Sequence, residues 1–271
     1  PPPAPPPPPF FFLAVDVIRD SSTSRGLGDV YKRQFLTFVL IFSFAISANL
    51  PENFSKYQSN FIFECDEPEK CFAAFDKYMS APEVAGLEVD FYAINHNGWD
   101  TASHGISFYF KDANEYAASG LFYATSKAGK AFRDAMNKVG AELTYKTLTV
   151  HSVGVDMGGV TAESPVGLFW DLNVTNPAEF VPMWVEFSKN MEDESWNKMS
   201  AYGLQTHYLG NAGNGPSHNV WASFKSTQDA LEFLDGMYAS KEFAEYSAKA
   251  REHRRFIRSY MTTSLKMYNP D

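Results

Sequence analysis

Cysteine, basic charge and long apolar runs are all scarce in this chain, and each scarcity excludes something. Cys65 and Cys71 are the only cysteines in 271 residues, too few for a four-cysteine zinc site or iron–sulfur cluster. No Cys-x-x-Cys-His haem attachment motif occurs. Lys and Arg number 23 against 32 Asp and Glu, a net charge of −9. Residues 1–34 hold four basic and three acidic side chains, so the remainder carries −10. That sign repels nucleic acid and anionic lipid; the basic stretch Arg251 to Arg258 is interrupted by Glu252 and His253. No nucleic-acid partner is expected. The apolar run Phe35 to Ala48 has fourteen residues, short of the ~20 needed to span a bilayer. A G-x-S-x-G elbow and a phosphate-binding glycine loop are also missing, since Gly26-Leu27-Gly28 falls in the N-terminal stretch set aside below.

Residues 1–34 are read as standing outside the fold. Pro1 to Pro9 is a proline run with one alanine, and Ser21 to Gln34 (SSTSRGLGDVYKRQ) resembles a translated adaptor or vector sequence. A proline-rich disordered tail is the alternative, with the same consequence. Residues 35–48 fit the apolar region of a signal peptide, with Ile46 and Ala48 before a cleavage point. The mature chain is therefore expected to begin near Asn49, to be periplasmic or secreted, and to keep no membrane span. Export makes Cys65 and Cys71 a disulfide pair rather than a metal pair. Asn53-Phe54-Ser55 and Asn173-Val174-Thr175 match the glycosylation pattern.

What the chain does contain is an order of residues that occurs twice. Gly86-Leu87 recurs as Gly203-Leu204 and Asn97-Gly98 as Asn214-Gly215, both offset by 117 positions. Ser103-His104 recurs as Ser217-His218, Lys111 as Lys225 and Ser126-Lys127 as Ser240-Lys241, all offset by 114. Tyr145 is matched with Tyr260. One change of spacing inside a Gly-containing turn is what a tandem repeat with a single loop indel shows.

The first module, 58–151, reads as strand (Phe61 to Cys65), helix opened by Pro68, strands Gly86 to Ile94 and His104 to Phe110, helix Ala113 to Val139 interrupted near Gly120 and Gly129, and strand Glu142 to Val150. After a linker over 152–165, the second module, 166–268, follows the same order: Gly167 to Asn173, a helix after Pro177, Gly203 to Gly210, His218 to Phe224, a helical stretch Thr227 to Arg255, and Ser259 to Met267. Two βαββαβ modules in tandem resemble a fused version of the dimeric α/β-barrel superfamily, whose modules are ferredoxin-like. The resemblance covers about 58–268 and rests on order rather than a motif. It implies an α+β fold in which two four-stranded sheets enclose an intramolecular barrel with helices outside. The superfamily includes small monooxygenases and haem-using enzymes, but order identifies neither a subfamily nor a cofactor.

Strand alternation sorts side chains into two faces. Leu87, Val89, Phe91 and Ala93 form an apolar face for helices, with Glu88, Asp90 and Tyr92 opposite. In the second module Gln205 and His207 lie on the face corresponding to Asp90, and the offset of 117 pairs Asp90 with His207. The third strands add Ser107, Tyr109, Trp221 and Ser223, the first strands Glu64 and Asp171, and the fourth Tyr145, Thr147, Thr149 and His151. In a closed barrel this second face lines the lumen. The candidate ligand-binding residues are Glu88, Asp90, Tyr92, Tyr109, His207 and Trp221. A solvated face, or polar groups satisfying one another, is the competing reading.

His104 and His218 each follow a serine and are expected to fix their hairpins through turn backbone; two histidines do not make a metal site. His253 is a conceivable haem ligand, but Arg251, Arg254 and Arg255 around it read as a solvated face. Three functions stay open: a binding protein holding a small molecule in the lumen, an oxidoreductase or lyase acting there through Asp90 and His207, and a haem enzyme.

Overall fold

The computed structural model describes residues 50–51, 54–98, 100–158, 163–210 and 215–270. The segments 1–34 and 35–48, and Asn53, lie outside the described residues. The first half comprises β1 (Tyr57–Glu64), α1 (Pro68–Met79), β2 (Glu88–Asn95), β3 (His104–Phe110), α2 (Ala113–Thr125), α3 (Lys127–Lys138) and β4 (Glu142–Asp156). The second comprises β5 (Val166–Val174), α4 (Pro177–Glu192), β6 (Ala201–Leu209), β7 (His218–Phe224), α5 (Thr227–Ala239), α6 (Lys241–Ala250) and β8 (Arg254–Tyr268). The eight strands close into one antiparallel barrel in the order β1-β3-β2-β8-β5-β7-β6-β4. Each half supplies one ferredoxin-like sheet, β4-β1-β3-β2 and β8-β5-β7-β6, and the seams are β2 with β8 and β4 with β6. Closure removes every sheet edge.

Several repeated sequence anchors turn out to be caps and ties. The long helical stretch of each half breaks at a serine, not at Gly120: Ser126 Oγ accepts from Gly129 N at 2.9 Å, and Ser240 Oγ from Phe243 N at 3.1 Å. Such caps stabilise a helix start by about 1 kcal/mol. Gly129 is required because a β-carbon there would meet the Tyr123 carbonyl oxygen at 2.1 Å. The serine of each Ser-His pair ties strand ends together instead of fixing turn backbone. Ser103 Oγ accepts from Cys65 N at 3.0 Å, and Ser217 Oγ from Val174 N at 2.8 Å.

The sequence offset of 117 does not survive in the strand register. Asp90 faces Ser107 and Gly203 faces Trp221, so the counterpart of Asp90 is Gly203. His207 corresponds to Ile94: Ile94 N donates to Ser103 O at 2.8 Å and His207 N to Ser217 O at 2.9 Å. Gly86 lies in the turn before β2, whereas Gly203 lies within β6. Likewise Tyr145 faces Ile62 and Arg258 faces Asp171, so Arg258, not Tyr260, corresponds to Tyr145. Both corrections are by even numbers of residues, so every side chain keeps the face that alternation assigns.

β4 runs through Asp156, into the stretch read as linker, because His151 to Asp156 pair with β6 of the other half. Two apolar cores lie outside the barrel, under α1–α3 and under α4–α6. Cys65 and Cys71 form a disulfide with α-carbons 6.8 Å apart, joining the end of β1 to α1; so short a loop contributes about 2 kcal/mol. Among the described residues no helix is long and apolar enough to cross a membrane.

Candidate functional site

The inward faces of the strands make a polar lumen, and at one end of it is a cavity of about 120 Å³. Glu88, Asp90, Tyr92, Tyr109 and Trp221 line this cavity together with Gln58, His151, Gln205, Phe169 and Ser264. Phe54, ahead of β1, covers it, 5.9 Å from the Trp221 ring and 6.0 Å from His151. Gly154 makes room for that cover, since a β-carbon there would meet the Phe54 ring at 2.7 Å. Sequence alternation thus brings five of its six candidates to one place.

His207 is not among them. Its Nδ1 lies 3.2 Å from the Tyr145 hydroxyl, beside a cluster built on Asp171. There Arg258 Nε donates to Asp171 at 2.7 Å, Asn219 donates to the other Asp171 oxygen at 2.8 Å, and Arg258 also pairs with Asp100. Burial opposes the Arg258 charge, but Asp171 more than compensates and holds its pKa raised. Asp171 is therefore an ion-pair partner outside the cavity, and Glu64, at the end of β1, does not line the cavity either.

Asp90 has the chemistry of interest. Burial pushes its carboxyl up to about 6, against a hydrogen bond from Ser264 Oγ at 2.6 Å that favours the anion. Burial also raises Tyr92 and Tyr109, with the Asp90 charge adding to both, so these phenols keep their protons at neutral pH. Tyr92 accepts from Ser107 Oγ at 3.3 Å, and its ring lies over Gly105, where a β-carbon would meet it at 2.3 Å. Ser107 continues a buried network through Asn60 and Gln58 to Gln205, Thr149 and His151. Burial lowers His151 to about 4, so it is neutral there. Much of the lumen's polarity is internally satisfied, but of the cavity-lining residues His151 Nδ1 and Trp221 Nε1 are buried without a hydrogen-bond partner among the described residues. Ser264 and Phe54 escaped the sequence reading because the phase of β8 changes at a bulge opposite Phe91 and Tyr92, and because Phe54 precedes the first strand.

A second cavity, of about 340 Å³, lies outside the barrel between the second sheet and α4–α6. Its walls include Trp184, Phe187, Tyr202, Ala222, Phe233 and Tyr246, and Arg254 stands at its edge. Arg254 is thus not part of a wholly solvated face. The lumen cavity has a histidine but is too small for a porphyrin, and no histidine or cysteine lines the larger space. His253 sits in the turn after α6, with its carbonyl accepting from Thr175. His104 and His218 are buried under the helices, each bonded to its serine, at 2.8 and 3.0 Å. Among the described residues no group of three His, Cys, Asp or Glu is placed to hold a metal ion.

No family model and no curated protein matches the sequence. Solved structures do match. A candidate monooxygenase from Fusobacterium nucleatum subsp. nucleatum has a TM-score of 0.58 at 15% identity, covering 80% of this chain and 95% of that one. An anthrone oxidase-like protein has a TM-score of 0.54 at 9% identity, covering 79% and 92%. A chlorite dismutase variant from Candidatus Nitrospira defluvii has a TM-score of 0.50 at 11% identity, covering 78% and 91%. At these identities the likeness concerns architecture: the chain has a dimeric α/β-barrel type of fold, with two ferredoxin-like halves in one polypeptide.

Proposed function

We propose that the protein binds a small molecule bearing a hydrogen-bond acceptor in the lumen cavity, against Asp90, Tyr92 and Tyr109 and under Phe54 and Trp221. The observation that carries this reading is a carboxyl group lining a partly open cavity with its pKa raised to about 6. Perturbed groups converging on a cavity are the usual mark of a ligand site. Below pH 6 the protonated Asp90 joins two phenols as a donor, so the site favours an acceptor such as a carbonyl. Cavities of about 150 Å³ take one benzene, so the occupant is a single small ring or a short chain, or one end of something larger.

The raised pKa also supports a second reading, an oxidoreductase or lyase in the same lumen. A base poised near neutrality can take a proton from a bound substrate, and two of the compared structures carry oxygenase or oxidase names. Both readings are tested by titrating small ketones and phenols against the protein between pH 5 and 7.5. Acceptor ligands should bind about tenfold tighter below pH 6 than well above it, and Asp90→Asn should remove that dependence. Binding that is indifferent to pH and to Asp90→Asn overturns the lumen reading; turnover of a bound phenol would select the enzyme.

Asp90→Asn should also stabilise the protein at neutral pH. The folded-state pKa lies above the ordinary 3.8, so the folded form holds the proton longer. Stability therefore falls as pH rises from about 4 to about 6 and stays lower above, by at most about 3 kcal/mol less solvent screening in the cavity.

Export belongs to the same proposal, supported by the apolar run 35–48 and by the Cys65–Cys71 disulfide. Expression of the full chain in a bacterial host should yield periplasmic protein beginning near Asn49 with no titratable thiol. Cytoplasmic protein with two free thiols contradicts it.

A further inference from the structure

The larger cavity lies apart from the lumen, and its chemistry differs. At about 340 Å³ it falls within the range of small-molecule sites, about 300–1,000 Å³. Its walls are aromatic. The Tyr246 ring stacks on Phe187 with centroids 4.3 Å apart, and Trp184 meets Tyr202 edge-on at 6.0 Å. Ala222 stands where the first half has Phe108, so the sheet floor is low at this point. A void with such walls lacks contact partners on its open side, and an apolar occupant would supply them.

One charged group breaks the apolar lining. Arg254, the first residue of β8, lines the cavity with its guanidinium 5.9 Å from the centroid of the Tyr246 ring. Its Nε is buried without a hydrogen-bond partner, and no carboxylate among the described residues forms an ion pair with it. A guanidinium cannot shed its charge, and a buried donor left unpaired is costly. Neighbouring Arg258 shows the usual remedy, with Asp171 and Asp100 on it. Arg254 has Tyr246, whose ring its guanidinium faces and whose hydroxyl it approaches, and no carboxylate among the described residues. What the site lacks is therefore an anion attached to an apolar body.

We propose that the space between the second sheet and α4–α6 is a binding site for an amphipathic monocarboxylate, with its alkyl or aryl body among Trp184, Phe187, Phe233 and Tyr246 and its carboxylate on Arg254. A carboxylate matches the guanidinium fork side-on, through Nε and one terminal nitrogen. Aromatic walls and a floor opened by Ala222 select an apolar body over a polar metabolite. A dicarboxylate would leave its second charge unpaired among aromatics.

Isothermal titration of the full mature protein at pH 7.5 tests this with two probes, decanoate and decanol, which share a chain and differ in charge. Decanoate should bind saturably with one site and at least about tenfold tighter than decanol, a gap a charge-assisted hydrogen bond readily supplies. Arg254→Gln should close the gap by weakening decanoate alone, and Arg254→Lys should restore part of it. Ala222→Phe should abolish both ligands; if that variant does not fold, Ala222→Leu should weaken both. No saturable binding of decanoate to the unaltered protein overturns the proposal. So does equal affinity for the two probes, or decanoate binding that Arg254→Gln leaves unchanged.

Discussion

The two halves share an outline and differ in how their cores are filled. In the first, the Phe75 ring lies 5.5 Å from Phe91, 6.1 Å from Phe108 and 5.7 Å from Phe132. Counting from the prolines that open α1 and α4, and along the paired strands, the second half puts Trp184 for Phe75, Leu204 for Phe91, Ala222 for Phe108 and Tyr246 for Phe132. Tyr202 replaces Val89, but its hydroxyl is drawn to Glu192 at the end of α4. One aromatic knot has become a walled space. Strand order and helix starts depend on alternation and caps, which the two halves keep. Interior volume depends on particular side chains, which they do not, and a fold tolerates that exchange as long as the pattern is conserved.

The comparison is broken or sharpened most directly by exchanging the floor residues. Phe108→Ala removes a buried ring from a packed cluster and should cost about 3–5 kcal/mol in urea denaturation, the range for large aromatic truncations. Ala222→Phe adds the same ring where there is room, and should change stability by less than about 1 kcal/mol. A loss above about 2 kcal/mol in Ala222→Phe would mean that the second core has no room for the ring.

A smaller contrast concerns the paired histidines. Burial, with His207 adding to it, lowers His218 from 6.5 to about 4, and burial also lowers His104. Each is depressed in the folded state, so the unfolded chain takes up the proton first. The stability present above about pH 6.5 is then lost as pH falls towards 4, by up to about 3 kcal/mol for His218. Thermal unfolding followed from pH 7 to pH 4 should show His218→Asn flattening this acid limb more than His104→Asn. Equal flattening would make the two sites electrostatically alike.

How far the sequence could be read depended on the range of each interaction. Faces were legible because alternation is local: Asp90, Tyr92 and Tyr109 line the cavity as their parity requires. Register was less legible. Repeated dipeptides such as Gly86-Leu87 and Gly203-Leu204 suggested matches four residues from the true ones, and parity cannot detect an even slip. The same slip pairs Asp90 with His207, whose ring lies beside Tyr145 and the Asp171 cluster. The place of Arg254 is not legible, because a basic run near a helix end has the same composition whether it faces water or a cavity.

The sequence by itself determined the βαββαβ order in each half and the inward and outward faces of the strands. Period-two patterning, caps and turn residues act within a few positions, so they are written in consecutive letters. Only the tertiary structure decided that β2 meets β8 and β4 meets β6, that Phe54 covers one end of the lumen, and that the second core is hollow. Each of these is a sum over residues far apart in the chain. A cavity is the space left after every neighbour has been packed, so no single stretch of sequence carries it.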